Sequence, residues 1–242
     1  MPEESRKYFH TVCVAGITDY GELRRLYPVP FKPLLAEGGI PFHKRDWIQA
    51  TVHPPEDRRD KRKESRKVDM QSIQVLGNED YVKIREIIRK HLSPSISAIR
   101  DSGASLGFIK PRIVDYECEI ESTEPVDKSQ LDLQGRPLGK IKLGQTSRYT
   151  FFCEESKKCC GDRPHCMEIH DWEANELYRN IIQKDKKHAA IKDKMKQKWY
   201  GWMTTERDIY FMMGTHHLWK VWMIVSVLYP PRGGTTLAEF FE

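Results

Sequence analysis

Residues 151–173 read FFCEESKKCCGDRPHCMEIHDWE, and we expect this stretch to set how the second half of the chain folds. It joins a predicted strand that ends near Phe152 to a predicted helix that begins near Asp171, with little apolar sequence of its own. Four of the six cysteines and two of the nine histidines lie here. We therefore expect this junction to be ordered by what its cysteines and histidines bind.

The spacing of these residues is C-x5-C-C-x5-C-x3-H, which favours a structural zinc site. Zinc takes about four nitrogen or sulfur donors in a tetrahedron, and Gly161 and Pro164 supply the turn that would let donors converge. If the helix begins one turn early, the two ligands four residues apart, Cys166 and His170, share one face. The predicted zinc ligands are Cys153, Cys159, Cys166 and His170, with Cys160 and His165 as substitutes.

Other chemistries for the cluster stay open or are disfavoured. Reduced thiols in a polar loop and a redox or iron–sulfur role remain alternatives to zinc. A nucleophilic Cys166 activated by His165 is disfavoured, because crowded thiols oxidise or chelate metal first. No signal sequence is recognisable, and the longest apolar run, residues 221–229, is too short to span a membrane. We therefore expect a cytoplasmic protein. Because the cytoplasm keeps thiols reduced, a disulfide framework is also disfavoured.

Charge is distributed in blocks rather than as a strong net excess. The chain has 40 Lys and Arg against 35 Asp and Glu, which gives +5 and a pI near 8.8. Basic blocks neutralise phosphates and aromatic side chains stack on bases, so we expect DNA or RNA, and further proteins, as partners. The predicted nucleic-acid-binding residues are Arg24, Arg25, Tyr27, Arg58, Arg59, Lys61, Arg62, Lys63, Arg66 and Lys67. The same charge runs are also typical of a solvated surface without a ligand.

The order of predicted elements indicates an α+β fold. Strands dominate residues 1–78, for which we predict a small β-barrel of the OB or SH3-like type, with the charged segment 56–69 as an exposed loop. Residues 79–104 form a connector of two helices. Residues 105–242 form an α+β region with the cysteine and histidine knuckle, including helices near 171–183 and 186–203.

The alternative hypothesis, that the protein is an enzyme, rests on a predicted strand with alternating carboxylates. Asp115, Glu117 and Glu119 project from one face of the predicted strand, and facing carboxylates can hold Mg²⁺ in a nuclease. The sequence E-x-K does not follow them, and the pattern is equally typical of a half-buried strand with one wet face.

Short motifs carry a resemblance to prokaryotic protein families. TVCVAGITDYGELRRLYPV, residues 11–29, and SLGFIKPRIVDYECE, residues 105–119, resemble prokaryotic proteins described as carrying dual OB-like domains. HDWE, ELYR, FMMGTH and WMIVSVLYPP resemble conserved hypothetical bacterial and archaeal proteins often met beside mobile-element or defence genes. The resemblance implies a nucleic-acid-handling context, and because these families have no assigned catalytic residues, no active-site residue is carried over.

Together these observations predict a non-catalytic, nucleic-acid-binding subunit of a larger complex with a structural zinc site. A metal-dependent nuclease that uses Asp115, Glu117 and Glu119 is the enzyme alternative. A protein–protein adaptor is the third hypothesis.

Overall fold

The computed structural model describes residues 3–5, 9–30, 42–55, 60–120, 145–184, 188–216 and 220–232. Over these ranges the chain is a mixed α+β structure made mostly of sheets, in agreement with the predicted fold class. None of the described helices is long and apolar enough to cross a membrane.

Among the described residues, the amino-terminal part contains seven strands of two to nine residues. They are β1 (Glu3–Ser5), β2 (Phe9–Ile17), β3 (Leu23–Pro30), β4 (Asp46–Gln49), β5 (Val52–His53), β6 (Ser65–Val68) and β7 (Gln74–Asn78). Five strands form one sheet in the order β1-β2-β3-β6-β5, in which the β3–β6 pair is parallel and the other pairs are antiparallel. β4 pairs with β7 in a separate two-stranded sheet.

The described strands of this part do not close into a barrel. β1 and β5 are the two edges of the five-stranded sheet, and the β4–β7 pair is not hydrogen-bonded to either edge. A closed barrel requires its first and last strands to pair. The predicted OB or SH3-like barrel is therefore not confirmed.

The charged segment 56–69 is more ordered than the sequence indicates. Residues 56–59 lie outside the described ranges, but β6 sits between β3 and β5, and Glu64 and Ser65 are buried. The Glu64 carboxylate accepts hydrogen bonds from the backbone N–H and the hydroxyl of Ser105, at 2.8 and 2.9 Å. Ser105, which is distant in sequence, thus satisfies the buried carboxylate of Glu64. The prediction of an exposed loop is therefore wrong for the described part of this segment, residues 60–69.

Two helices connect the amino-terminal strands to the rest of the chain, as predicted. They are α1 (Tyr81–Lys90) and α2 (Ile96–Asp101). Asp80 and Ser95 are their N-caps, and each side chain accepts a hydrogen bond from a backbone N–H three residues later.

Six strands form the carboxyl-terminal sheets: β8 (Leu106–Ile109), β9 (Arg112–Ile120), β10 (Gln145–Phe152), β11 (His165–Glu168), β12 (Tyr210–Thr215) and β13 (Trp222–Leu228). They make two three-stranded antiparallel sheets, β11-β10-β9 and β13-β12-β8. A bridge between Ile169 and Ile224 links the sheets, and the backbone N–H of His170 donates to the Ile224 carbonyl at 2.8 Å.

Helices pack on these sheets around the main core. They are α3 (Ser156–Cys159), α4 (Trp172–Lys184), α5 (His188–Lys196), a π-helix (Gln197–Trp202) and α6 (Met203–Glu206). The region predicted as one helix over 186–203 therefore contains a stretch with wider turns. The largest side chains of the core are Tyr116, Tyr149, Phe151, Trp199 and Phe211.

A second core joins the amino- and carboxyl-terminal parts. Its buried members are Ile88, Phe108, Tyr210 and Met212, and Ile17 and Leu23 of the first hairpin pack against them. Burying apolar side chains from both parts in one cluster couples the stability of the two parts.

Candidate metal centre

The chain brings three metal-ligating side chains together where the β10–β11 hairpin turns. Cys153 follows the last residue of β10, Cys159 is the last residue of α3, and His165 is the first residue of β11. Because β10 and β11 pair antiparallel, His165 lies opposite Phe151 and returns close to Cys153. One short loop thus positions all three donors.

The three ligand atoms have the spacing of a tetrahedral site. Cys153 Sγ and Cys159 Sγ are 3.6 Å apart, and Cys159 Sγ and His165 Nε2 are 3.4 Å apart. All three atoms lie within 4.8 Å of one another. Around zinc, with Zn–S near 2.3 Å and Zn–N near 2.0 Å, neighbouring ligand atoms lie about 3.8 Å (S to S) and about 3.5 Å (S to N) apart. The two distances from Cys159 Sγ therefore match edges of a zinc tetrahedron, and the third donor pair lies within 4.8 Å.

The environment of Cys159 favours its thiolate. Burial raises the pKa of this thiol, but hydrogen bonds from the Ser97 hydroxyl and from backbone N–H groups of Ser97 and Ile96 lower it overall. These donors belong to the first turn of α2, so the metal centre also contacts that helix. Cys153 differs: burial above all, and the charge on Cys159, raise its pKa to about 12. The Cys153 Sγ–H donates to Cys159 Sγ, and a bound metal would take the place of that proton.

The surroundings of His165 also favour metal coordination. Burial lowers its pKa, which favours the neutral imidazole that binds metals. Its ring packs against Phe151 with centroids 5.2 Å apart, which fixes the ring plane. Two sulfurs and one imidazole nitrogen are the donors that zinc prefers.

The structure does not bring the other predicted ligands, Cys166 and His170, to this site. The sequence argument placed them on one helical face, but residues 165–168 form strand β11, in which successive side chains alternate between faces. Cys166 is consequently exposed on the face opposite to His165. His170 Nε2 lies 3.9 Å from a carboxylate oxygen of Glu168. Cys160, half-buried, follows Cys159 but is outside the three-residue group.

The carboxylates Asp115, Glu117 and Glu119 do not form a metal site. Asp115 is paired with Lys196 at 2.8 Å, and Glu119 with Arg148 at 3.0 Å. Over the described ranges, the Cys153, Cys159 and His165 group is the one set of three or more His, Cys, Asp or Glu whose ligand atoms all converge. Two of the three carboxylates are thus held by cations and the three do not converge, which leaves the nuclease hypothesis without a metal-binding geometry among the described residues.

The predicted basic surface divides into internal and exposed residues. Arg25 is buried, and its Nη2 donates to the Ser105 carbonyl at 3.0 Å, so it cannot contact a phosphate. Arg62 is paired with Asp60 at 2.7 Å and donates to the Thr215 carbonyl. These two arginines are structural, because their guanidinium groups satisfy internal acceptors.

The remaining members of that set lie nearer the surface. Arg24 on β3 is paired with Glu22, the residue just before that strand, and Tyr27 is half-buried on β3. Lys61 and Lys63 are exposed, and Arg66 and Lys67 are half-buried in β6. Arg58 and Arg59 lie outside the described residues.

Comparison with known families gives two matches. A family described as domain of unknown function DUF8758 matches residues 1–92, and one described as domain of unknown function DUF8757 matches residues 91–242. Neither a search of curated proteins nor a search of solved structures finds a match.

Proposed function

We propose that this chain, which belongs to the family described as domain of unknown function DUF8757, binds zinc. In this proposal the metal stabilises the fold, and the chain is a non-catalytic subunit that binds other molecules. The observation that carries the proposal is the convergence of Cys153, Cys159 and His165 with ligand atoms within 4.8 Å. Three protein donors leave one tetrahedral position for a water molecule or for a further side chain such as Cys160.

The position of the site supports a structural role for the metal. Its ligands belong to the end of β10, to α3 and to the start of β11, and Cys159 is also hydrogen-bonded to the first turn of α2. Residues 154–157 and 159–166 are half-buried or exposed, so one ion would hold this loop and α3 against the paired strands β10 and β11. Metal binding to such a junction contributes directly to folding free energy.

Elemental analysis of purified protein tests the proposal. We expect about one zinc per chain, and we expect Cys159→Ser and His165→Ala to lose most of it because each removes one of three donors. Cys166→Ser is the matched control: it removes a cysteine seven residues from Cys159 whose side chain lies on the other face of β11. Equal zinc content in Cys159→Ser and Cys166→Ser, or no zinc in the native protein, would contradict the assignment.

Nucleic-acid binding remains a proposal that rests on a narrower surface. Its support is the exposure of Lys61 and Lys63 beside β6, whereas Arg25 and Arg62 have internal partners. Exposed lysines that contact phosphates release counterions, so affinity falls with salt by a slope of about 0.9 per contact.

A salt titration of DNA and RNA binding checks this second proposal. Replacing Lys61 and Lys63 together by Gln should reduce the slope of log affinity against log salt by about 2, since two contacts are lost. Lys83→Gln, an exposed lysine on α1, should leave the slope unchanged. Absence of binding to either nucleic acid at low salt would remove the proposal.

A further inference from the structure

A row of aromatic side chains lies where α1, the end of β13 and the π-helix meet. Tyr81 is the first residue of α1, Tyr229 directly follows β13, and Trp202 is the last residue of the π-helix. The ring centroids of Tyr81 and Tyr229 lie 6.1 Å apart, and those of Trp202 and Tyr229 lie 6.4 Å apart. All three residues are half-buried, so each remains partly accessible to solvent.

Cations rest on the rings at both ends of this row. The guanidinium carbon of Arg45 lies 4.1 Å from the centroid of the Tyr81 ring. At the other end, Lys198 Nζ lies 3.5 Å and the guanidinium carbon of Arg207 lies 4.6 Å from the centroid of the Trp202 ring. Aromatic and cationic groups thus alternate along one surface. We call these six residues the aromatic band: Arg45, Tyr81, Lys198, Trp202, Arg207 and Tyr229.

Two further arginines add positive charge beside the aromatic band. Arg85 of α1 donates from Nη1 to the Pro231 carbonyl at 3.1 Å, and Arg232 donates from Nη2 to the Thr204 carbonyl. Arg232 is exposed. A guanidinium group has five N–H donors, so an arginine bonded to a carbonyl oxygen keeps others for a ligand. The surface around the aromatic band is therefore rich in donors for an anion.

The carboxylates beside Lys198 already have partners. Glu173 and Glu176 line a groove next to this lysine. Glu173 accepts a hydrogen bond from Lys44 Nζ at 2.9 Å, and Glu176 also has an interaction partner. Lys198 and Arg207 share one aromatic ring and repel each other, so an anion bound between them would relieve this repulsion.

The groove offers space for an unpaired base next to these cations. Its volume is about 320 Å³, and Leu177, Trp199 and Tyr229 form its apolar wall. Asn180 also lines it, and its amide can both donate and accept hydrogen bonds. Bases of a single strand are free to leave the stack and enter such a site, whereas those of a duplex are paired inside the helix.

We propose that the aromatic band binds single-stranded nucleic acid. Lys198, Arg207 and Arg45 contact phosphates, and the rings and the guanidinium planes that rest on them stack with bases. This inference rests on the proposed nucleic-acid binding of the chain, but it assigns that binding to a surface other than the one that carries Lys61 and Lys63. It does not depend on the metal centre.

Salt titrations of fluorescence anisotropy test the proposal, with the full chain and a labelled oligo(dT) strand of about ten nucleotides. Replacing Lys198 and Arg207 together by Gln should reduce the slope of log affinity against log salt by about 1.4, because each phosphate contact on a single strand contributes about 0.7. Replacing Lys192 and Lys196 of α5 by Gln makes the same charge change at two exposed lysines and should leave the slope unchanged. An unchanged slope in the first double variant would overturn the proposal.

Single variants separate loss of binding from loss of folding. Arg45→Gly removes a cation at a position whose φ of 76° favours glycine, so it should keep the native melting temperature and weaken binding. Tyr81→Ala should weaken binding at least about fivefold, because one stacked base is lost. Tyr81→Phe keeps the ring and should bind as the native protein does. Equal affinities of the two Tyr81 variants would overturn the assignment of a stacking surface.

The choice of oligonucleotides and variants distinguishes failure of this inference from failure of the proposed function. Binding that is lost on replacing Lys61 and Lys63 but unaffected by the variants of the aromatic band would overturn the inference and leave nucleic-acid binding in place. Absence of binding to any nucleic acid at low salt would overturn both. A duplex of the same length bound as tightly as the single strand would overturn the assignment of a single-stranded ligand.

Discussion

At the scale of single residues, Lys44 makes the most consequential contacts between distant parts of the chain. Its Nζ lies 2.7 Å from Asp171 Oδ2, 2.9 Å from Glu173 Oε2 and 3.1 Å from the Val227 carbonyl oxygen. The Asp171 side chain is 1% exposed and also accepts from the backbone N–H of Val227 at 2.7 Å. A buried carboxylate of this kind is stable only because its charge is matched.

Replacing Lys44 by Met should therefore destabilise the fold strongly. We expect a loss of about 3–5 kcal/mol in the free energy of unfolding, because Asp171 would remain buried without its cation. Urea unfolding near pH 7 measures the change. Lys83→Met, an exposed lysine on α1, serves as the control and should change stability by about 0.5 kcal/mol or less.

The effect of Lys44→Met should also depend on pH in a defined direction. Burial alone would raise the pKa of Asp171, but Lys44 foremost, and backbone hydrogen bonds, lower it below its ordinary value. The carboxylate thus adds stability above its unfolded pKa of about 3.9, and this is lost as pH falls through the lower native value. The difference between the native protein and the variant should shrink on acidification, and a difference that grows would contradict this account.

At the scale of elements, the sequence predicts most helices and strands correctly. It errs where a contact between distant residues determines which element forms. The two connector helices form within the predicted range 79–104, and each has a capping side chain, Asp80 or Ser95, directly before it. Residues 165–168 pair with β10, although four-residue spacing favoured a helical turn through Cys166 and His170. Short segments have weak intrinsic preferences, so pairing with a neighbouring strand overrides them.

The same reason explains which part of the candidate metal site follows from the sequence. The predicted ligand set includes Cys153 and Cys159, two members of the group that converges in the structure. His165 is ranked below His170, because its approach to Cys159 depends on the register of β11 against β10. Strand alternation would have separated His165 from Cys166, had the strand been recognised.

At the scale of the whole molecule, the regions matched by the two families share one core. Ile17, Leu23 and Ile88 from the first region pack with Phe108, Tyr210 and Met212 from the second. Lys44 and Glu64 add polar contacts to Asp171 and Ser105 across the same boundary. Separating the regions would expose these aromatic side chains and leave buried charges unpaired.

We therefore expect the full chain to unfold in one cooperative transition. Differential scanning calorimetry should show a single peak whose calorimetric and van't Hoff enthalpies agree, because both regions lose the shared core together. Two separated peaks would contradict this coupling between the regions.

The sequence by itself determined the α+β class, the two connector helices and the segment in which candidate metal ligands gather. These depend on periodicity, capping and composition within short windows, which neighbouring residues encode. Only the tertiary structure decided that His165 meets Cys153 and Cys159 and that Lys44 neutralises Asp171. Each of these contacts joins residues through strand register or long-range packing, which the local pattern does not specify.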